Sequence, residues 1–140
     1  LVPWENVTTV DISEHYYAVL ERIRTSRHTR MPVTEKGEVI GLLHTKEFGA
    51  ETDVSRIDWT ELVRPVVKLK SNQPLLTALR RMQSQKTHLA VVIDDVELLG
   101  IITNEDIFEE VVGEIYDEDD DPRILLTSSS KFRTWSKRSK

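Results

Sequence analysis

Residues 39–43 read Val-Ile-Gly-Leu-Leu, and residues 98–102, which lie 59 positions further on, read Leu-Leu-Gly-Ile-Ile. The same offset aligns residues 7–48 with residues 66–107 without a gap. A repeat this short cannot bury a sufficient core alone and gains stability by packing on its twin. The sequence therefore predicts two copies of one small unit, with a binding cleft between the copies.

The composition is that of a water-soluble globular chain. Of the 140 residues, 39% are hydrophobic and 31% are charged, and no apolar run approaches the ~18–20 residues of a membrane span. The chain begins Leu1-Val2-Pro3 without a methionine, which is typical of a piece of a longer protein. No cysteine is present, so disulfides, thiolate zinc sites and cysteine nucleophiles are excluded.

Each copy is predicted to read strand, helix, strand, strand, helix. In the first copy, an extended stretch at 7–10 precedes a helix with Ser13 as its N-cap and with Tyr17, Leu20 and Ile23 facing inward. Strands at 31–34 and 39–43 flank a turn in which Gly37 permits positive φ, and a helix begins near Thr45.

The second copy has the same order of elements, but different residues mark where its first helix begins. Asn72 is expected to cap a helix with Pro74 in its first turn, and its buried face consists of Leu75, Leu76, Leu79 and Met82. Strands follow at 89–93 and 98–102, and a longer helix begins at Thr103. Helices separate the strands, so mixed sheets and an α/β fold of two β-α-β-β-α repeats with pseudo-two-fold symmetry are predicted.

These elements set the predicted domain boundaries. The first repeat takes residues 1–50, a linker takes 51–65 with Asp58 as the cap of a short helix, and the second repeat takes 66–118. Residues 119–140 form a tail that is first acidic and then basic, and its composition is typical of disorder.

The sharpest local motif is the segment from Gly100 to Asp106, Gly-Ile-Ile-Thr-Asn-Glu-Asp. A strand ends at Thr103 and a helix begins, so free amides and a hydroxyl could bind phosphate while Asp106 holds the two hydroxyls of a ribose. Thr-x-x-Asp is equally a capping box, in which both side chains bind amides of the helix. The residues alone leave both interpretations open.

The duplicated unit with its Gly-h-h-Thr-x-x-Asp motif, where h is an apolar residue, resembles a CBS-domain pair, or Bateman module. Arg27-His28-Thr29-Arg30-Met31-Pro32-Val33 and the segment from Gly41 to Phe48 resemble the CorC/cyclin-M (HlyC/TlyC-like) magnesium transporters. Residues 64–66, 88–92 and 100–115 carry the same resemblance, which covers about residues 3–118. In that family the module lies on the cytosolic side of a transmembrane domain and binds adenine nucleotide, ATP or AMP, with or without Mg²⁺.

The resemblance also implies the site residues. Thr103 would contact phosphate, Asp106 would hold the ribose, and Arg30 would pair with the phosphates. The other implied positions are Thr29, Met31 and Pro32 on the opposite copy, with Val66 and Val67 lining the adenine pocket. Without the resemblance, Arg30 reads equally well as an exposed charge at the edge of a strand.

The first copy departs from the motif, since His44 stands where the second has Thr103 and Glu47 stands where it has Asp106. This copy is therefore predicted to hold no ligand or to bind one weakly. The four histidines lack the spacing of a metal site, and no nucleophile–base set or phosphate-binding loop is visible, so no metal site and no catalysis are predicted.

An acidic stretch and a basic stretch near the end of the sequence each allow two interpretations. Ten carboxylates and no basic residue fall in residues 105–121. At the run Asp117–Asp121, just past the last predicted helix, weak Mg²⁺ binding competes with a solvated linker as the interpretation. Six basic and no acidic residues fall in 123–140, where a contact with nucleic acid or anionic lipid competes with a solvated terminus.

The resemblance predicts a non-catalytic, nucleotide-sensing regulatory module of a membrane transporter for Mg²⁺ or another divalent cation. The expected partners are a second copy in a homodimer, the transmembrane domain of the parent chain and the nucleotide, but no nucleic acid. The rival hypothesis is a protein-interaction scaffold whose cleft is vestigial.

Overall fold

The computed structural model describes residues 1–50 and 58–115. The chain divides into two compact units. The N-terminal repeat unit lies within Thr8–Val66, and the C-terminal repeat unit comprises Leu1–Val7 together with the described residues from Val67 to Ile115. The tail and part of the linker lie outside the described residues, and the predicted repeat boundaries stay a prediction.

The described chain contains seven strands and four α-helices, with two short 3₁₀ helices at Trp4–Asn6 and Trp59–Leu62. The strands are β1 (Val2–Pro3), β2 (Val10–Asp11), β3 (Arg30–Glu35), β4 (Glu38–His44), β5 (Val67–Lys70), β6 (Leu89–Asp94) and β7 (Glu97–Thr103). The helices are α1 (Tyr16–Ser26), α2 (Thr45–Ala50), α3 (Leu75–Ser84) and α4 (Asn104–Ile115).

The N-terminal repeat unit is built on a sheet of order β2-β3-β4, in which β2 runs parallel and β4 antiparallel to β3. Inward residues of these strands pack against one face of α1, and Phe48 and Trp59 complete the core. The buried members of this core are Val10, Val19, Met31, Val33, Leu43, Phe48 and Trp59.

The C-terminal repeat unit has a four-stranded sheet of order β1-β7-β6-β5. Strand β5 runs parallel to β6, while β6 and β7 form an antiparallel hairpin. Residues of α3 and α4 cover the sheet, and the core contains Leu69, Leu75, Ala78, Met82, Val92, Ile102 and Ile107, among others. The sheets are mixed, as predicted.

The backbone repeats at the predicted offset of 59. Positive φ occurs at Arg27 (58°) and Lys86 (52°), and again at Lys36 (51°) and Asp95 (53°). These are rare conformations for residues other than glycine, so their recurrence at equivalent positions is specific evidence for duplication. Gly37 also has positive φ, 81°, as expected for the turn between β3 and β4.

Side chains at equivalent positions repeat the same backbone contacts. Arg22 donates to the Thr9 carbonyl, and its counterpart Arg81 donates to the Lys68 carbonyl, 59 residues on. The residue between strand and helix, Glu14 in one repeat and Gln73 in the other, accepts from the amide three residues before it. These contacts fix the turn that leads into α1 and α3.

Glu14 differs from Gln73 by also pairing with Arg22. Burial of the Glu14 carboxyl raises its pKa, but the hydrogen bonds from Arg22 and from the Asp11 amide outweigh burial, so the pKa lies below its ordinary value. The ionised carboxylate is therefore the form that the folded state favours, and this contribution to stability is lost as pH falls through the lowered pKa.

Gly41 and Gly100 each leave room for a neighbouring piece of backbone, which is Arg64-Pro65 at Gly41 and Val2-Pro3 at Gly100. Each of these two dipeptides is called a lead-in segment below. Val2 and Pro3 pair antiparallel with Ile101 and Gly100, and Arg64 pairs with Leu42 through two backbone hydrogen bonds of 2.8 and 2.9 Å. A Cβ on Gly100 would collide with the Val2 carbonyl, and one on Gly41 with the Arg64 carbonyl. Glycine is therefore required at both positions.

The strands predicted at 31–34, 39–43, 89–93 and 98–102 are confirmed, whereas the stretch predicted at 7–10 forms a strand only from Val10. The Asp58 cap is confirmed, since Asp58 accepts from the Thr60 amide at 3.0 Å. The predicted caps of the other two helices are wrong. Helix α1 begins at Tyr16 and Ser13 instead donates to Asp11, while α3 begins at Leu75 with Pro74 rather than Asn72 at the N-cap.

The predicted inward face of α1 is also partly wrong. Tyr17 is 78% exposed, whereas Val19 is fully buried and Leu20 and Ile23 are half-buried. The inward face consists of Tyr16, Val19, Leu20 and Ile23, at the i, i+3, i+4 and i+7 positions, and Tyr17 lies outside it. On α3 the predicted face is confirmed for Leu75, Leu79 and Met82, with Leu76 half-buried and Ala78 added.

The first prediction concerns Gly100. Gly100→Ala should lower the free energy of unfolding by about 1–3 kcal/mol, because the methyl group must displace the lead-in segment from β7. Gly113→Ala is the matched control, since a Cβ there meets nothing within 4 Å and should stabilise α4 by up to ~1 kcal/mol. Denaturant unfolding measures both, and equal effects of the two substitutions would contradict the assigned role of Gly100.

Candidate functional site

The strand-to-helix junction of the C-terminal repeat unit is fixed by short-range hydrogen bonds. Strand β7 ends at Thr103, and the Asn104 amide donates to the His88 carbonyl at 3.0 Å. Thr103 Oγ accepts from the Asp106 amide at 3.2 Å, so this threonine caps α4. The hydroxyl of a capping threonine still has a proton to donate, so capping and ligand contact are compatible at Thr103.

The Asp106 carboxylate lies one turn into α4 and its side chain is 30% exposed. Its Oδ2 lies 3.4 Å from the Leu1 nitrogen, which the pairing of β1 with β7 brings to this end of the sheet. Asp106 is therefore partly exposed, as a carboxylate that binds hydroxyl groups must be.

The carboxamide of Asn104 lies beside these two groups, and sequence reasoning missed it. Its Oδ1 is buried without a hydrogen-bond partner, a property it shares, among the described residues, with His44 Nδ1. A buried acceptor left unpaired costs free energy, and native structures rarely contain one without a reason. An amino or hydroxyl donor on a ligand could satisfy Asn104. In the sequence, the position of Asn104 between Thr103 and Asp106 is the feature that could have identified it as a site residue.

The other predicted contacts come from the start of β3 in the N-terminal repeat unit. Arg30 lies opposite His44, Met31 opposite Leu43 and Pro32 opposite Leu42. Met31 and Pro32 are buried, whereas Thr29 is exposed and Arg30 is partly exposed.

Thr45 is hydrogen-bonded to the two residues that precede β3, His28 and Thr29. Its amide donates to the Thr29 carbonyl at 2.9 Å, and its hydroxyl donates to the carbonyls of His28 and Thr29, each at 3.0 Å. The Thr29 carbonyl is thus used within the fold, while the guanidinium of Arg30 forms no hydrogen bond or ion pair with the described residues.

Val66 and Val67 lie at the junction of the two units along the chain. Val66 is half-buried and ends the N-terminal repeat unit, and Val67 is buried and begins β5 opposite Ala90. The structure thus brings Thr103 and Asp106 together in one unit and Thr29–Pro32 together in the other. The joint use of the two sets stays a prediction.

The first repeat has a different chemistry at the equivalent junction. Glu47, the counterpart of Asp106, is bound by Arg64, with 2.6 Å between Oε1 and Nη2. His44, the counterpart of Thr103, has a buried Nδ1 without a partner. The first repeat thus pairs its carboxylate with an arginine and has an imidazole in place of the threonine, and the weak binding of this repeat stays a prediction.

The described residues contain neither a metal cluster nor a helix that could span a membrane. No group of three or more His, Cys, Asp or Glu side chains in residues 1–50 and 58–115 has the arrangement of a metal site. None of the helices in the described part of the chain is long and apolar enough to cross a bilayer. The acidic run at 117–121 falls outside these ranges.

Comparison with known proteins shows the family. The family model for the CBS domain matches residues 2–48 and 54–113, so the chain belongs to the CBS domain family and carries two copies in tandem. The resemblance to a CBS pair and the predicted fold are therefore confirmed.

The relatives include UPF0053 and CorC proteins. UPF0053 protein MG146 of Mycoplasma genitalium is 36% identical over 126 residues, which cover 86% of this chain and 30% of the relative. The magnesium and cobalt efflux protein CorC of Pasteurella multocida is 27% identical over 143 residues, covering 99% of this chain and 48% of the relative. The chain thus spans 30% of the first relative's length and 48% of the second's.

A solved structure supports the fold. The CBS domain of a bacterial CNNM/CorC family Mg²⁺ transporter, in complex with ATP, is similar with a TM-score of 0.70 and 23% identity. The match covers 81% of this chain and 84% of that one. At this identity the likeness establishes the tandem CBS fold.

The second prediction compares the two carboxylates. Asp106→Ala should weaken adenine-nucleotide binding roughly ten- to hundred-fold, because a hydrogen bond to a charged group contributes ~1.5–3 kcal/mol. Glu47→Ala is the matched control and should change binding little, since Arg64 already occupies Glu47. Isothermal titration calorimetry with ATP measures both, and equal losses would rule out a ribose clamp confined to the second repeat.

Proposed function

We propose that this chain is an adenine-nucleotide-sensing regulatory module of a membrane transporter for Mg²⁺ or a related divalent cation. The observation that carries the proposal is the junction at Thr103–Asp106. There a helix start, a hydroxyl with a proton to donate, an unpaired buried carboxamide oxygen and an accessible carboxylate lie within four consecutive residues.

Each group suits one part of a nucleotide. The carboxylate of Asp106 can accept from both hydroxyls of a ribose, while the positive end of the α4 dipole and the Thr103 hydroxyl attract phosphate. Arg30 is assigned to the phosphates, because its planar fork of donors fits their oxygens. The apolar groups of Met31, Pro32, Val66 and Val67 are assigned to the adenine ring.

The relatives support this choice of ligand and of parent protein. A CorC protein is named for magnesium and cobalt efflux, and a CBS domain of the same fold is described in complex with ATP. We therefore assign the module to the cytosolic side of a parent membrane protein, as a homodimer that contacts its transmembrane domain. The nucleotide is ATP or AMP, with or without Mg²⁺.

The module regulates rather than catalyses in this proposal. Nucleotide that binds one arrangement of the two repeats more tightly than another shifts the population toward that arrangement, and the shift passes to the parent protein. An interaction scaffold with a vestigial cleft would show no such response to nucleotide.

The third prediction is a thermal shift. ATP at a hundred times its dissociation constant stabilises the folded state by about 2.7 kcal/mol, and each kcal/mol raises the melting temperature of such a domain by roughly 2–8 °C. Saturating ATP should therefore raise the midpoint by at least about 5 °C. Adenosine, which lacks phosphate, should raise it less, and added salt should narrow the difference by screening.

Differential scanning fluorimetry with ATP, AMP and adenosine, each with and without Mg²⁺, measures this shift. If no adenine nucleotide moves the midpoint, the sensor function is wrong and the scaffold replaces it.

A further inference from the structure

One end of the N-terminal repeat unit carries a group of exposed cations. Helix α1 is capped at its C-terminus by Arg27, which has the left-handed backbone conformation. Thr45 is hydrogen-bonded to the carbonyls of the two residues that follow Arg27, so the start of α2 lies against the end of α1. Arg24 in the last turn of α1, Arg27 and Lys46 are exposed at this end. These three residues are called the cationic end of the unit.

The charge of the cationic end is only partly balanced within the fold. Its three side chains form no hydrogen bond or ion pair with the described residues. Glu47, which follows Lys46, is already paired with Arg64. Glu21 lies one turn before Arg24 and is exposed, but it forms no ion pair with that arginine. The positive charge at this end is therefore available to an anionic partner.

The fold does not require these cations, because the second repeat forms the same turn without them. The residues 59 positions further on are Gln83, Lys86 and Glu105, which carry one positive and one negative charge. Lys86 has the left-handed conformation of its counterpart, and the Asn104 amide makes the same backbone hydrogen bond as the Thr45 amide. The two repeats share this turn and differ in its charge, so the charge serves something other than folding.

The cationic end suits a surface that bears many phosphate groups. A guanidinium binds phosphate oxygens in pairs, and a lysine adds a point charge. The three side chains are exposed and belong to three successive segments, an arrangement that contacts an extended charged surface rather than encloses one anion. Anionic phospholipid headgroups form such a surface, and each Lys or Arg near it strengthens binding about five-fold.

We propose that the cationic end, Arg24, Arg27 and Lys46, contacts the headgroups of anionic phospholipids. The choice of a bilayer over a soluble polyphosphate rests on the proposed function, which assigns the module to a membrane protein. Arg30 is not part of this contact, since its guanidinium is assigned to the nucleotide. The attraction is electrostatic and lies at the surface, so it weakens as salt is added.

Co-sedimentation of the full chain with lipid vesicles, without nucleotide, provides the fourth test. Vesicles of equal parts phosphatidylglycerol and phosphatidylcholine supply the anionic surface, and pure phosphatidylcholine vesicles are the neutral reference. The chain should bind the anionic vesicles more strongly, and about 0.5 M salt should remove most of the difference. Arg24→Gln, Arg27→Gln and Lys46→Gln together should lower the partition coefficient for anionic vesicles at least about ten-fold.

A second triple variant is the matched control. Lys68→Gln, Lys70→Gln and Arg80→Gln together remove the same charge from exposed positions of the C-terminal repeat unit, and should lower the partition coefficient far less. Both variants keep the basic residues of 123–140, so any contribution of theirs to vesicle binding is common to all chains compared. Arg24→Lys with Arg27→Lys keeps the charge of the cationic end and should retain most of the binding.

The outcomes separate a lipid contact from its alternatives. Equal losses in the two triple variants would overturn the proposal, because net charge rather than its location would then govern binding. Equal binding of the unsubstituted chain to anionic and neutral vesicles would also overturn it. A loss of ATP affinity in the first variant, with vesicle binding intact, would assign the cations to a soluble phosphate ligand.

The same experiment distinguishes this proposal from the nucleotide function. A chain whose melting temperature does not respond to ATP, but whose vesicle binding is lost only in the first variant, would refute nucleotide sensing and support the lipid contact.

Discussion

The rest of the fold depends on the close approach between a lead-in segment and the second hairpin strand of each sheet. Gly100 accepts Val2-Pro3 on β7, and Gly41 accepts Arg64 on β4. A side chain at either glycine would occupy the space of the lead-in backbone. The same strands end at His44 and Thr103, where the helices of the candidate sites begin.

Two repeats that share their turns and their arginine contacts carry different chemistry at these points. Positive φ values, turn hydrogen bonds and the arginine contacts of Arg22 and Arg81 all recur at one offset. The side chains at the strand ends do not, since the second repeat presents Thr103 and Asp106 whereas Glu47 of the first is bound by Arg64. Duplication thus supplied two scaffolds, and the substitutions made them inequivalent.

Much of the fold could be predicted from the sequence because the apolar patterns of the strands are strong. The strands at 31–34, 39–43, 89–93 and 98–102 lie within the observed ones, and the turn at Gly37 was marked by its glycine. Helix starts were harder to predict. Ser13 and Asn72 have good capping chemistry, but Glu14 and Gln73 use their side chains to close the preceding turn, and each helix begins after that turn.

The pairing of the lead-in segments was not predictable from a gapless alignment. Val2-Pro3 and Arg64-Pro65 correspond at an offset of 62 rather than 59, because the 3₁₀ helix at Trp4–Asn6 adds three residues in the first copy. At the site, the motif predicted Thr103 and Asp106. The unpaired oxygen of Asn104 and the Arg64–Glu47 pair depend on packing, which a sequence pattern does not contain.

The central claim is that only the second repeat is equipped to hold the ribose of a nucleotide. The most direct test is the number of ATP molecules bound per chain, measured by isothermal titration calorimetry at a protein concentration well above the dissociation constant. The account predicts one ATP per chain. Two equivalent sites per chain would contradict the inequivalence of the repeats, and no binding would contradict nucleotide sensing itself.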